Sequence, residues 1–232
     1  MGMGMGMGWP RAGRGAFTMI ELIVTIGIIM ILIGLMMPAL GNARIQASRI
    51  KDLASMRGSM MALTQYTEDN ESLFPVEDAS PVWAARWWFR ALLQDGQIGQ
   101  RSDLGITDPN NPDFVLIALS PTAFVDSTIF EPDRGLHLYE QPTSSNRATS
   151  ITFASEKAIL WQFLIHSPRI GTIEWCCLPD HEDAPVAFWD GSAVIANYQQ
   201  FDVVPMPHMW NRIGVPVEST WHGLSGRDAY NP

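Results

Sequence analysis

A single carboxylate, that of Glu21, lies at the very start of a long apolar run. No charged residue follows it from Leu22 to Ala43. As a helix with a rise of 1.5 Å per residue, this run spans about 33 Å, which is enough to cross the hydrocarbon core of a bilayer. A carboxylate in lipid costs about 2.5–3.5 kcal/mol at the membrane centre and less near the edge. We therefore expect Glu21 to have a partner that offsets this cost, and we take it as the main functional residue.

The residues around Glu21 form a recognisable motif. Residues 15–21, Gly-Ala-Phe-Thr-Met-Ile-Glu, resemble the cleavage and N-methylation motif of type IV prepilins and type II secretion pseudopilins. The resemblance implies that a prepilin peptidase cuts between Ala16 and Phe17, which makes Glu21 the fifth residue of the mature chain. It further implies methylation of the new Phe17 amine. Ala16 stands where glycine is usual and Gly15 precedes it; cleavage after Gly15 would shift the glutamate by one position.

This resemblance implies a structural function and not an enzymatic one. The chain would be a pseudopilin or pilin-like subunit, held in the inner membrane by one helix with its C-terminal head in the periplasm. It would assemble with itself and other pseudopilins into a periplasmic filament of a type II secretion or type IV pilus-like system. Within that filament, Glu21 of one subunit would pair with the Phe17 amine of its neighbour. The alternatives are a single-helix membrane-anchored periplasmic binding or enzymatic domain, and a monomeric minor pilin.

Two observations on the apolar run concern whether it is a secretory signal peptide and which way it crosses the membrane. An ordinary secretory signal peptide has an apolar region of about 7–15 residues, and this run is longer. Two arginines precede the run and four basic residues follow it closely. On this charge distribution alone, the part after the run would be cytoplasmic. The prepilin resemblance implies the opposite orientation, and we adopt it.

Composition limits the remaining classes. The chain has 232 residues, 47% of them hydrophobic, and a net charge of −9. Both the first 16 residues and the segment 17–57 are net positive, so the remainder is strongly acidic. An acidic body argues against nucleic acid as a partner, since such binding needs clustered lysines and arginines. We predict three parts: a cleaved leader over 1–16, a membrane helix over 17–43, and a head over 44–232.

We find no motif of a known catalytic or cofactor site in the sequence. The most polar cluster, residues 176–183, contains the adjacent Cys176 and Cys177, whose spacing disfavours a disulfide. We interpret this cluster as a solvated loop and expect no cofactor. Major secretion pseudopilins often hold calcium in a C-terminal loop, which makes four aspartates weak calcium candidates: Asp180, Asp183, Asp190 and Asp228.

The hydrophobic pattern predicts an α+β, pilin-like fold. A helix from Phe17 to Thr67 should end at Asp69-Asn70 and pack its second half on the head through an amphipathic stripe. Ser80-Pro81 and Gly96 bound a predicted second helix. We assign the stripe to Ala43, Ala47, Ile50, Leu53, Ala54, Met60, Met61 and Thr64.

Strand-like segments follow the second helix and predict an antiparallel sheet. Asp190-Gly191 between two apolar runs predicts a hairpin with a type I′ turn. Phe188–Gly191 and the segment His222–Asp228 weakly resemble C-terminal motifs of large pseudopilin-like families, and we interpret the latter as a tight turn. The predicted strands are 114–119, 128–130, 151–154, 158–165 and 186–189, with the second arm of the hairpin to 195.

Overall fold

The computed structural model describes residues 17–76, 84–85, 87–105, 107–108, 111–126, 142–162, 184–196, 200–201 and 222–228. The chain forms two compact units, residues 1–47 and 48–232. The predicted leader and the predicted strand over 128–130 lie outside the described residues.

One long helix, α1, runs from Met19 to Asp69 and contributes to both units. It continues through Pro38. The predicted end at Asp69 is confirmed, and its cause is visible in the backbone. Glu71 and Ser72 follow with positive φ angles of 53° and 65°, and left-handed residues of this kind commonly end helices.

The second half of α1 packs on the head through a face that differs from the predicted stripe. The buried residues are Met56, Ser59, Met60, Leu63 and Thr67. They recur every three or four residues, as one helix face requires. Of the predicted stripe, Met60 is buried and Leu53 and Thr64 are partly buried.

The prediction is wrong for the rest of that stripe, because α1 has a second apolar face. Ile50 and Met61 are 67% and 72% exposed, and Ala54 is exposed as well. These residues lie about 120–160° around the helix from the centre of the buried face. A helical period alone does not decide which of two apolar faces the head covers.

The second helix, α2, spans Phe89–Gln94. Gly96 follows it with φ +79°, and the Ile98 amide donates to the Leu92 carbonyl beyond the helix end. The predicted stop at Gly96 is therefore confirmed, while the predicted start at Ser80-Pro81 lies outside the described residues. Trp88 just before α2 is buried and its indole N–H donates to the Ile117 carbonyl, which ties this region to the sheet.

Two antiparallel sheets follow, so the α+β class is confirmed. The small sheet pairs β1 (Thr107–Asp108) with β2 (Asn111–Val115). The larger sheet has the order β3-β4-β5-β6. Its strands are β3 (Ile117–Leu119), β4 (Ala158–Gln162), β5 (Ala184–Phe188) and β6 (Ala193–Ala196).

Two strand predictions need correction. The run 114–119 is not one strand, because the chain leaves the small sheet at Val115 and enters the large one at Ile117. The segment 151–154 forms no strand. It follows a 3₁₀ turn, Ala148–Ser150, and leads into a turn closed by the Glu156 amide on the Phe153 carbonyl.

The hairpin is confirmed, but its turn type is not. Strands β5 and β6 pair in register from Ala187↔Ala193. The loop has three residues, Trp189–Gly191, and the Gly191 amide donates to the Phe188 carbonyl. Gly191 has φ +84°, whereas Asp190 is not among the residues with positive φ. A type I′ turn needs positive φ at both positions, so this loop is a type I turn followed by a left-handed glycine.

Candidate functional site

The start of α1 is a reciprocal hydrogen-bonded cap. The Thr18 amide and hydroxyl each donate to Glu21 Oε2 at 2.8 Å, and the Glu21 amide donates to Thr18 Oγ1 at 3.3 Å. This is a capping box, in which the first and fourth residues satisfy each other's backbone groups. The Thr-x-x-Glu spacing signals it in the sequence, and our sequence analysis missed it. Glu21 therefore has a local structural role in addition to any intermolecular one.

The cap uses only one carboxylate oxygen. Both donors reach Oε2, and no donor within the described part of the chain is assigned to Oε1. Phe17 directly precedes the cap and is 77% exposed. Glu21 Oε1 is therefore an acceptor that another molecule can reach, and Phe17 beside it is exposed as well.

The apolar run that follows is exposed within the chain. The large hydrophobic residues from Leu22 to Leu40 are between 45% and 72% exposed. The Thr25 hydroxyl, a polar group in this run, donates to the Leu22 carbonyl at 2.8 Å. By length and composition, α1 is able to cross a membrane near the N-terminus of the chain.

Most of the other predicted site residues lie outside the described residues: Gly15, Ala16, Cys176, Cys177, Asp180 and Asp183. Asp190 is described, and its Oδ1 accepts the Ser192 amide at 2.9 Å within the hairpin loop. Its observed role is thus to brace the turn. Among the described residues, no three His, Cys, Asp or Glu side chains lie together so that they could hold a metal ion.

The fourth calcium candidate, Asp228, has a different partner. Its Oδ2 lies 3.1 Å from Lys157 Nζ, with side-chain exposures of 2% and 0% respectively. The same oxygen accepts the Ala158 amide, and the Asp228 amide donates to the Glu156 carbonyl. Burial lowers the pKa of Lys157, and the Asp228 carboxylate opposes that effect. The pair connects the turn at His222–Asp228 to the start of β4.

This buried pair has no sequence signal, because about 70 positions separate its members. A buried ion pair contributes little net stability, but removing one partner leaves an uncompensated charge and is strongly destabilising. On the surface beside it, Arg227 lies 3.5 Å from Glu156 and 3.8 Å from the ring centroid of Phe153. The predicted tight turn at His222–Asp228 is present, with positive φ at His222 and Gly223.

That turn borders an open cavity of about 310 Å³ in the head. The Ser225 hydroxyl donates to the main-chain carbonyl of His222. The donor of the Ser225 hydroxyl is therefore directed at the backbone of the turn. The cavity can hold a small polar molecule by hydrogen bonds. It is lined by Asn146, Ser150, His222, Leu224 and Ser225.

No protein-family model, curated protein or solved structure matches this chain.

Proposed function

We propose that this chain is a pilin-like structural subunit, made as a prepilin and assembled into a filament of a type II secretion or type IV pilus-like system. The observation that carries the proposal is Glu21. It is the only acid before a run long enough to cross a membrane, and it lies four residues after the predicted cleavage point at Phe17. The head is then an α+β domain displayed in the periplasm by α1.

The assembly mechanism follows from the atoms at the cap. Cleavage gives Phe17 a positively charged amine. Glu21 Oε2 is already bonded to Thr18, and Oε1 accepts the amine of a neighbouring subunit. A charge without a partner is costly in lipid, so this pairing fixes the register of the incoming helix.

Glycines in α1 support contacts with other subunits. Gly27, Gly34 and Gly41 each cost an α-helix about 1 kcal/mol relative to alanine. A Cβ added at any of them meets no atom within 4 Å among the residues that the structure describes. Small residues in membrane helices let a second helix approach closely. The packing partner that would explain these glycines is therefore another helix.

The direct test is mass spectrometry of the N-terminus of the mature protein. The proposal expects a chain that begins at Phe17 and carries one methyl group on its amine. A mature chain that starts at Met1, or between Ala39 and Ala43, contradicts it. The same sample from cells that lack the prepilin peptidase should retain the leader.

A matched pair of variants separates the charge of Glu21 from its capping role. Glu21→Gln keeps the capping box, since glutamine serves at that position, but removes the charge. Thr18→Val keeps the charge but removes the capping hydroxyl, at about 1 kcal/mol of helix stability. We expect Glu21→Gln to remain membrane-inserted and to lower the yield of crosslinked filament at least tenfold. Thr18→Val should lose far less.

Equal filament yields for Glu21→Gln and wild type would limit Glu21 to capping.

The cavity beside His222 favours a second candidate function, an anchored domain that binds a small polar ligand. Crosslinking in intact membranes distinguishes the two. Ladders of self-contacts support the filament, and a single chain without such contacts supports the anchored binding domain.

A further inference from the structure

The cavity beside the turn at His222–Asp228 lies between two short 3₁₀ turns of the head, Ala148–Ser150 and Gly223–Ser225. Its volume of about 310 Å³ falls at the lower end of the range for small-molecule sites, roughly 300–1,000 Å³. The described residues that line it include no aspartate, glutamate, lysine or arginine. A small neutral molecule therefore fits this cavity better than an ion does.

Asn146 contributes an oriented acceptor to the cavity. Its Nδ2 donates to the Thr122 carbonyl at 2.8 Å and to the Val125 carbonyl at 2.6 Å. Its main chain is fixed as well, because the Asn146 amide donates to the Ala123 carbonyl and the Asn146 carbonyl accepts the Phe74 amide. Since these bonds use the amide hydrogens of the side chain, Oδ1 is the atom of Asn146 that a ligand can bind, and it binds a donor.

Ser225 contributes a second acceptor from the other turn. Its hydroxyl donates to the His222 carbonyl at 2.9 Å, and its amide donates to the same carbonyl at 3.2 Å. Because the hydroxyl proton is used within the turn, Oγ offers a ligand its lone pairs. Leu224, the preceding residue, is buried and adds an apolar wall to the cavity.

Ser150 completes the polar lining with an exposed hydroxyl that can donate or accept. The cavity thus combines two oriented acceptors, one adaptable hydroxyl and one apolar side chain. A ligand that matches this set carries several O–H donors on a compact carbon frame. A pyranose sugar has this character, since its hydroxyl groups donate to the acceptors while its ring C–H groups contact Leu224.

We infer that this cavity binds a single sugar residue, either free or at the end of a glycan. The inference rests on the second candidate function, the anchored binding domain, and names its ligand. It requires neither cleavage at Phe17 nor assembly into a filament. Both acceptors are held in place by bonds within the chain, so the site is preorganised for binding.

The test uses the full chain in dodecylphosphocholine micelles, because a detergent with a sugar headgroup would compete for the cavity. Saturation-transfer difference NMR, with titration, measures the binding of the methyl glycosides of glucose, galactose, mannose and N-acetylglucosamine. We expect at least one of them to bind wild type with a Kd on the order of 1 mM. A disaccharide that ends in the same sugar distinguishes the two sources. Equal or tighter binding of the disaccharide assigns the site to the end of a glycan, and weaker binding assigns it to the free sugar.

A matched pair of variants tests whether the sugar lies in the cavity. Ser150 and Thr149 are exposed neighbours in one 3₁₀ turn, but of the two only Ser150 is among the residues that line the cavity. Ser150→Phe should fill the cavity and abolish binding, whereas Thr149→Phe should bind as wild type does. Ser225→Ala adds no bulk and removes one acceptor, so it should weaken binding about two- to tenfold.

Two charged probes, putrescine and citrate, are titrated in the same micelles to test the other ligand classes. Binding of either probe that is lost in Ser150→Phe, without binding of any glycoside, would overturn the sugar and retain the anchored binding domain. No binding of any probe would overturn both. Glycoside binding that Ser150→Phe and Ser225→Ala leave unchanged would place the sugar elsewhere and overturn the inference. The filament proposal is decided separately, by the mature N-terminus.

Discussion

The close approach of Gly105 to α1 gives a sharp test of how the head is attached to its helix. Gly105 has φ +76°, and a Cβ placed there would lie 2.7 Å from Ser55 Cβ on α1. The neighbouring Leu104 carbonyl accepts the buried Ser59 hydroxyl at 3.3 Å. The 3₁₀ turn Arg101–Leu104 thus rests on the helix with no room for one more carbon.

The expected cost of Gly105→Ala has two parts. A left-handed conformation costs a residue with a Cβ about 1–2 kcal/mol. Overpacking adds about 1–3 kcal/mol. Gly96→Ala is the matched control, because Gly96 has φ +79° but open space around its Cβ position. Only the first part applies there, so the difference between the two variants measures the contact with α1.

The assay is thermal unfolding of the full chain in mild detergent, with tryptophan fluorescence as the readout. For a domain of this size, 1 kcal/mol shifts Tm by about 2–4 °C. Gly105→Ala should therefore melt roughly 2–12 °C below Gly96→Ala. Adding Ser55→Gly removes the obstructing side chain and should recover most of that gap, despite about 0.5 kcal/mol of lost helix propensity. Equal melting of the two alanine variants, with no recovery, would refute the docking of this turn on α1.

Three further predictions concern the head. Met60→Ala should cost about 2–5 kcal/mol, because the side chain is buried, whereas Met61→Ala next to it should cost less than about 0.5 kcal/mol; equal melting temperatures would contradict the assigned face. Gly191→Val should lower stability by about 1 kcal/mol or more, because Gly191 has a positive φ. Asp190→Asn should change stability little and should melt at the same temperature with calcium as with chelator. A calcium-dependent shift of Tm that is present in wild type and lost in Asp190→Asn would assign Asp190 to a metal site. Burial lowers the pKa of Lys157 in the folded chain. Between that lowered pKa and about 10.5, the unfolded chain binds more protons than the folded chain, so the free energy of unfolding should rise with pH. Denaturation at several pH values should show this slope, and Lys157→Met should lack it.

Local signals explain what the sequence alone could predict. The uncharged run, the stop after Asp69 and the Asp-Gly hairpin each depend on neighbouring residues, and each is present. The predicted type I′ turn was wrong because Asp-Gly occurs in both two-residue and three-residue hairpin loops. The capping box at Thr18 was also a local signal, but the membrane interpretation of Glu21 drew attention away from it.

Features that depend on distant partners could not be predicted in the same way. The exposed stripe with Ile50 and Met61 is as regular as the buried one, and only the position of the head on α1 distinguishes them. The ion pair of Lys157 and Asp228 joins a residue before β4 to the C-terminal turn. No periodicity or spacing relates two such positions, since the sheet and the tail meet only in the folded chain.

The capping box sharpens the question of why residue 21 is a glutamate. A glutamine would complete the same box and would cost less in lipid, so capping alone does not account for a charge. The helix N-terminus does reduce the cost, because the free amides of the first turn favour an anion. Thr18 at the same time holds the carboxylate through Oε2. The cap and the proposed pairing are therefore compatible: the cap orients a charge whose second oxygen is available to the amine of the next subunit.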